Sequence, residues 1–313
     1  MKSLILDLLI CPACPPEENG LLLDVTEKEG EDILSGSLKC DKCGMVYLIR
    51  DGIASLLPRA ESDNAGAASQ YESPSFVSSY LWSHYADIFG DSDASRAYLE
   101  WSELLSPKPG FALDAGCAVG RFAFEMSRKS DLVVGIDNSR AFVQKARELM
   151  KGRQLSFPAP EEGALVENFV VELPEAWESD RVEFILGDVE ALPFRSGIFS
   201  SLASLNLIDK VPMPLLHLRE MNRVAKENGA HILISDPFSW STDVAREEDW
   251  LGGTTKGAFS GNGIDNVRSL LTGDKGDLPL SWEVEDEGHV WWKIRNHRNH
   301  FELIRSCFIK AGR

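Results

Sequence analysis

The chain has 313 residues, 43% of them apolar, and a formal net charge of −17. That is long enough for a full core plus an appended module, and no apolar run approaches the roughly 20 residues of a membrane span. The acidity argues against a nucleic-acid partner, because such binding draws most of its affinity from clustered Lys and Arg beside phosphates; the local exception, Lys293 to Arg298, alternates like a strand and reads as one solvated face. At the start, Met1 to Cys11 superficially suggests a secretory peptide. Asp7 interrupts its apolar region, however, and bulky Ile10 precedes the cysteine where a cleavage site needs a small residue, so a cytoplasmic location is expected.

The first chemical signal is a double pair of cysteines, Cys11-Pro-Ala-Cys14 and Cys40-Asp-Lys-Cys43, separated by a polar stretch with strand-like patches and followed by Gly44. This is zinc-ribbon spacing, in which four thiolates converge tetrahedrally. Gly44 permits the turn whose amides hydrogen-bond the sulfurs. A redox dithiol would open a helix within a thioredoxin-like βαβ unit, and neither pair does. A structural zinc is therefore expected. The run from Cys40 to Pro58 resembles the second half of a Trm112-type zinc ribbon, which implies a small β-rich domain over residues 1–58 that depends on its metal and docks a protein partner. Cys117 and Cys307 read as packing residues.

From Arg59 to Ser79 the composition turns to Ala, Ser, Gly, Asn and Glu and reads as a linker. Tyr80-Leu-Trp-Ser-His-Tyr85 with Ile88 and Phe89 then predicts an amphipathic helix, either a lid over a ligand or a core-packing element. Tyr71 is a further candidate beside Tyr80 and Tyr85, and residues 59–100 are expected to hold the linker and lid-type helices ahead of a catalytic domain at 101–313.

In that domain, Phe111-Ala-Leu-Asp-Ala-Gly-Cys-Ala-Val-Gly-Arg121 is an apolar strand ending in an acid, then a glycine-punctuated turn that opens a helix. Leu132-Val-Val-Gly-Ile-Asp137 follows as a second apolar strand with an acid at its tip, where βαβ folds hold a ribose. A dinucleotide turn needs Gly-x-Gly-x-x-Gly, whereas here Asp114 stands beside Gly116 and Gly120 and would repel a pyrophosphate. The segment Leu113 to Gly120 resembles motif I of class I S-adenosylmethionine (SAM)-dependent methyltransferases; the family's usual third glycine is Ala118 here. Val182 to Asp188 resembles the adenine-contacting strand end of the same family.

Further strands are expected near 199–207 and 230–236, with helices between, including Met213 to Lys226 and one from Gly263 to about Leu271. Alternation of this kind implies a parallel sheet with helices on both faces. The resemblance implies a Rossmann-like α/β sheet of seven strands, closed by an antiparallel hairpin from Leu280 to Arg295 and His300 to Ala311. Two insertions individualise the chain. Leu155 to Asp180 is rich in Pro and Glu and could be an edge ornament, whereas Asp236 to Asn262 follows a strand C-terminus, where ligands bind in open α/β sheets, and carries Trp240 and Trp250.

The combination of Gly116 to Glu125, Pro160-Glu-Glu-Gly163, Asn206-Leu-Ile-Asp209, Asp236 to Trp240 and Glu248-Asp-Trp-Leu-Gly-Gly253 resembles the 4-mercaptohistidine N1-methyltransferases of ovothiol biosynthesis, over roughly residues 105–275. An N-terminal ribbon stands where a sulfoxide-synthase portion is often fused. The resemblance implies SAM as cofactor, with Asp114, Gly116, Cys117 and Gly120 along its methionine portion, Asp137 and Asn138 at the ribose, and Asp188 and Val189 near the adenine. Asn206 and Asp209 would face the reacting centre. Asp209, Asp236 and His217 are the candidate proton acceptors, although His217, within a helix, reads more readily as structural. Tyr80, Tyr85, Trp240 and Trp250 are candidate substrate contacts. Three functions remain open: methylation of a small imidazole- or amino-acid-like nitrogen, methylation of ribosomal-type RNA, and a non-catalytic SAM-binding partner protein.

Overall fold

The computed structural model describes residues 1–58 and 70–313, so residues 59–69 of the expected linker lie outside the described residues. The ribbon contributes β1 (Leu21–Glu29), β2 (Asp32–Cys40), β3 (Val46–Arg50) and β4 (Ile53–Leu56), and is followed by α1 (Pro74–Tyr85) and α2 (Ala97–Leu104). Helix α1 begins at Pro74 because Ser73 caps it, its hydroxyl accepting from the Phe76 amide, and proline suits the first turn. The expected linker to Ser79 is thereby corrected: composition hid a cap. Likewise, α2 runs across the domain boundary expected at residue 100.

Next come β5 (Phe111–Ala115), α3 (Arg121–Met126), β6 (Leu132–Asp137), α4 (Arg140–Gly152), β7 (Gln154–Glu162), β8 (Leu165–Glu172) and β9 (Val182–Gly187). The chain finishes with β10 (Phe199–Leu205), α5 (Pro214–Val224), β11 (His231–Asp236), α6 (Gly263–Leu271), β12 (Glu283–His297) and β13 (His300–Gly312). The strands β5, β6, β9, β10 and β11 are buried almost throughout, as parallel strands covered on both faces must be. They lie in the order β9-β6-β5-β10-β11, continued by the antiparallel β13 and β12. This is the class I methyltransferase sheet with its terminal hairpin, as expected. All five parallel strands deliver their C-terminal ends to one edge.

The ribbon is not a separate body. Its strand β4 pairs in parallel with β9, Ser55 with Leu186 and Leu56 with Gly187, so ribbon and catalytic strands form one sheet of 11. Leu9 bridges to Phe194, and one apolar cluster runs from Met1, Ile5 and Tyr47 to Phe194 and Phe199. The joint also holds a buried ionic group: Arg147 of α4 reaches both oxygens of Asp32 on β2 at 2.9 Å and pairs with Glu183 of β9, while the Met1 ammonium donates to Asp32 at 2.7 Å. Burial opposes ionisation of Asp32, yet the ammonium and Arg147 outweigh it and hold the carboxyl down at about 2.

The insertion after α4 is the hairpin β7–β8, a two-stranded sheet of its own. Arg295 joins it to β12 through Glu167 at 2.9 Å and is 3% exposed, so the expected solvated face at 293–298 is corrected at its centre. The arginine is buried because the hairpin, read from the sequence as an edge ornament, covers it.

Removing Arg147 takes the paired cation from buried Glu183 and leaves Asp32 to the Met1 ammonium and Lys151. Arg147→Ala is therefore expected to lower unfolding free energy by about 3–5 kcal/mol, read by chemical denaturation followed through far-ultraviolet circular dichroism. A loss below about 1 kcal/mol would show the joint to be held by apolar packing alone.

Candidate functional site

The glycine turn after β5 is shaped by its neighbours. Gly116 has φ 73°, and a Cβ there would meet Leu207 at 2.8 Å; Gly120 has φ 85° and would meet Phe184 at 2.6 Å. Both positions need glycine for conformation and for room. Ala118, at the place of the family's third glycine, also adopts a left-handed φ of 45°, and its amide donates to Asp137 Oδ2 at 2.9 Å. Alanine is thus strained where glycine would be relaxed, and the Asp137 bond helps to hold it there.

Asp114 is 2% exposed and its Oδ2 has no hydrogen-bond partner. Burial pushes its carboxyl up to about 7, opposed by an amide bond from Ala123 and helped by the charge of Asp137. Asp137 is raised to about 6, again by burial first, despite accepting from the Ser139 and Ala118 amides. Across the sheet Asp114 pairs with Gly135 on one side and Ala203 on the other, so Asn206 follows on the neighbouring strand. Asn206 has φ 54°, its amide donates to Ser235 O at 2.6 Å, and neither atom of its side-chain amide is paired. Buried unpaired polar atoms are costly, and three of them stand at the ends of adjacent strands.

Asp209 and Asp236, 1% and 0% exposed, brace the loop that leaves β11. Asp209 Oδ2 accepts from Ser239 at 2.7 Å, Asp236 Oδ1 from Phe238 at 2.7 Å, and Asp236 Oδ2 from the Asp209 amide at 3.3 Å. Burial raises both carboxyls, and for Asp236 the charge of Asp209 adds to it. Lys210 Nζ lies 3.2 Å from Asp209 Oδ1. The structure makes Asp236 a brace inside the protein more than an open proton acceptor. His217 takes the structural role preferred for it over that of a base: it is fully buried, Nε2 lies 2.9 Å from Ser204 Oγ and Nδ1 3.3 Å from Val189 O, and burial lowers it to about 4. It supports the Val189 loop. Asp188 caps that loop, accepting from Glu190 at 2.8 Å, while Asn138 is exposed.

The helix α1 covers this edge. Tyr80 packs on Phe142 at 4.7 Å and near Tyr71 at 6.1 Å, and the charges of Asp137 and Asp209 act on both hydroxyls. Tyr85 is corrected as a substrate contact: it is buried in the core with its hydroxyl donating to Val119 O at 2.8 Å. Five residues after Tyr80, it lies about 140° round the helix from it, on the face turned to the core. Trp240 and Trp250 stack on each other at 6.1 Å, Trp250 donating to Ala245 O and Trp240 N–H remaining unpaired.

In the ribbon, the four sulfurs of Cys11, Cys14, Cys40 and Cys43 lie within 4.8 Å of one another, with Cys11 and Cys43 3.6 Å apart and Cys14 and Cys40 3.9 Å apart. A tetrahedron with metal–sulfur bonds of about 2.3 Å has edges of about 3.8 Å, so the set can hold a metal ion. Tyr47 Oη lies 3.1 Å from Cys11 Sγ, a support that sequence reading missed; its place four residues beyond Cys43, with alternate residues buried, was the available signal.

Residues 113–233 match the model of a methyltransferase domain and residues 2–52 that of a Trm112p-like protein. An uncharacterized 37.1 kDa protein in transposon TN4556 of Streptomyces fradiae is 27% identical over 154 residues, which is 48% of this chain and 37% of that relative's length. The chain is also similar to a solved chain from the complex between the Haloferax volcanii Trm112 methyltransferase activator and a methyltransferase, at 13% identity and TM-score 0.46, covering 79% of this chain and 99% of that one. A SAM-dependent methyltransferase from Methanosarcina mazei is 17% identical with TM-score 0.43, covering 67% and 94%. The chain thus carries a methyltransferase domain on a class I α/β sheet, joined to a Trm112-like domain. No helix among the described residues is long and apolar enough to cross a membrane.

Because Asp114 is raised in the folded state, its contribution to stability is present below the unfolded carboxylate pKa of about 4 and is lost as pH rises through about 7. Asp114→Asn should therefore gain on the unliganded wild type by on the order of 2–4 kcal/mol between pH 5 and 8, read as a widening difference in thermal unfolding. A difference that stays constant with pH would show that Asp114 is already ionised and compensated.

Proposed function

We propose that the chain transfers a methyl group from SAM to a nitrogen of a small imidazole- or amino-acid-like acceptor of the mercaptohistidine type, and that the ribbon holds a structural zinc. The observation that carries the first part is the trio of unpaired buried atoms, Asp114 Oδ2 and the two amide atoms of Asn206. A ligand with a cationic, hydrogen-bonding methionine tail would complete them, and Asp114 would then hold its charge against an ammonium. The remaining lone pairs of Asp137 suit a ribose diol. Bound there, SAM supplies an already activated sulfonium methyl.

What the chain must add is alignment, dryness and a proton acceptor. Tyr71 and Tyr80 cover the strand ends and exclude water. Asp209 is the acceptor with the best position: it stands three residues beyond Asn206, Ser239 fixes one oxygen, and burial raises its pKa toward the range useful for a base. Lys210 beside it offers a counter-charge to an acceptor's carboxylate. The net charge of −17 disfavours an RNA acceptor. Zinc follows from four thiolate ligands with no water-bearing position among them. The Trm112-like fold also supports a protein partner at the ribbon.

The direct test offers SAM with mercaptohistidine, histidine and bulk RNA in parallel and measures release of S-adenosylhomocysteine. Turnover with mercaptohistidine is expected; turnover with RNA alone would replace this reading. Asp209→Asn should reduce kcat by about 100-fold or more while leaving S-adenosylhomocysteine affinity within about twofold, and wild-type turnover should fall on the acid side as Asp209 takes up its proton. Unchanged kcat would remove Asp209 from the chemistry. Metal analysis should find one zinc per chain, and chelation should lower the melting temperature of the catalytic domain as well as the ribbon, because β4 belongs to both. Full retention of the catalytic transition would contradict that coupling.

A further inference from the structure

We propose that Glu72 is a positioning residue: its carboxylate latches the lid across the first turn of α4 and so sets how long the cofactor stays beneath it. The inference rests on the SAM reading above and concerns the same pocket. The lid segment is held very differently at its two ends. At the C-terminal end of α1, the Tyr85 hydroxyl donates to Val119 O at 2.8 Å. Arg121, 1% exposed, donates to His84 O at 2.9 Å and grips Asp87 with two nitrogens at 2.7 and 3.1 Å. These contacts tie α1 directly to the glycine turn, inside the core.

The other end rests on exposed polar bonds. The amides of Arg140 and Ala141, which begin α4 and have no partner within that helix, donate to Glu72 Oε1 at 2.9 Å and Oε2 at 3.2 Å. The Ser139 hydroxyl donates to Tyr71 O at 3.2 Å. A carboxylate at a helix N-terminus is favoured by the exposed N–H groups and the helix dipole, a modest and reversible interaction. Its position gives it consequence. Ser139 also donates its amide to Asp137, so the expected ribose acid, the start of α4 and the latch are joined through one residue. Over them Tyr71 and Tyr80 close against Phe142 at 5.8 and 4.7 Å. When Glu72 lets go, the ring cover loses its two bonds to the start of α4 while Arg121 keeps the rest of the lid in place.

The experiment uses the full chain and S-adenosylhomocysteine as probe, with release followed by stopped-flow displacement. Glu72→Gln and Glu72→Ala are expected to release it about three- to tenfold faster than wild type, with melting temperature within about 2 °C. Amide exchange should rise over residues 70–80 in both variants and stay unchanged over 81–87. Wild-type release rates in both variants, or exchange rising equally along 70–87, would overturn the latch while leaving the cofactor reading intact. A wild-type protein that binds no S-adenosylhomocysteine would overturn the cofactor reading itself, and the latch's role with it.

Discussion

The pairing of β4 with β9 is the contact on which the arrangement depends. Two registered residue pairs, Ser55 with Leu186 and Leu56 with Gly187, convert a cysteine ribbon and an α/β domain into one hydrogen-bonded sheet. An unpaired strand edge exposes a row of donors and acceptors, and here the β9 edge is closed by the chain's own ribbon. The pairing lies at the end of β9 that delivers Asp188, so the ribbon borders the edge where the strands' C-terminal acids gather. The Arg147 cluster fixes the same joint from the side, by charge where the strands act by backbone.

A second theme is the concentration of acids at that edge. Asp114, Asp137, Asp209 and Asp236 stand on or just after β5, β6, β10 and β11, and burial raises all four. A parallel sheet brings strand ends together whether or not their charges agree, so repulsion and desolvation accumulate there. Backbone amides of Ala118, Ser139, Ser239 and Phe238 relieve part of the cost. The remainder is what a cationic, diol-bearing ligand can relieve, so the site is arranged for binding at the expense of the empty protein's stability.

The parallel strands, their acid tips and the four-cysteine cluster were legible because each has a local signature: buried apolar runs, glycine turns and CxxC pairs; the terminal hairpin followed from the resemblance, and the strand order was not read. Glu72 was not legible, because a loop of Gln, Tyr, Glu and Ser offers no periodicity and its partner amides lie 68 and 69 residues away. Tyr85 and Tyr80 look alike in sequence; only the docking of α1 decides that one hydroxyl meets Val119 inside the core while the other ring lies over Phe142. His217 was legible as structural from its place within a helix, but its partner Ser204, on the neighbouring strand, was not. Arg295 was read as solvated because the hairpin that buries it comes from an insertion 130 residues earlier in the chain, a distance about that between Arg295 and Glu167.

The two apolar clusters on opposite faces of the sheet carry one more consequence. One gathers the ribbon, α5 and α6; the other gathers α1, α2, α3, α4 and the β7–β8 hairpin, with Ile53 as the ribbon's member. The sheet is thus a partition between the side of the cysteine cluster and the side covered by α1. Away from the Arg147–Asp32 joint, apolar substitutions on one side face no side chains of the other cluster, so the covering helices and the cysteine side can drift largely apart.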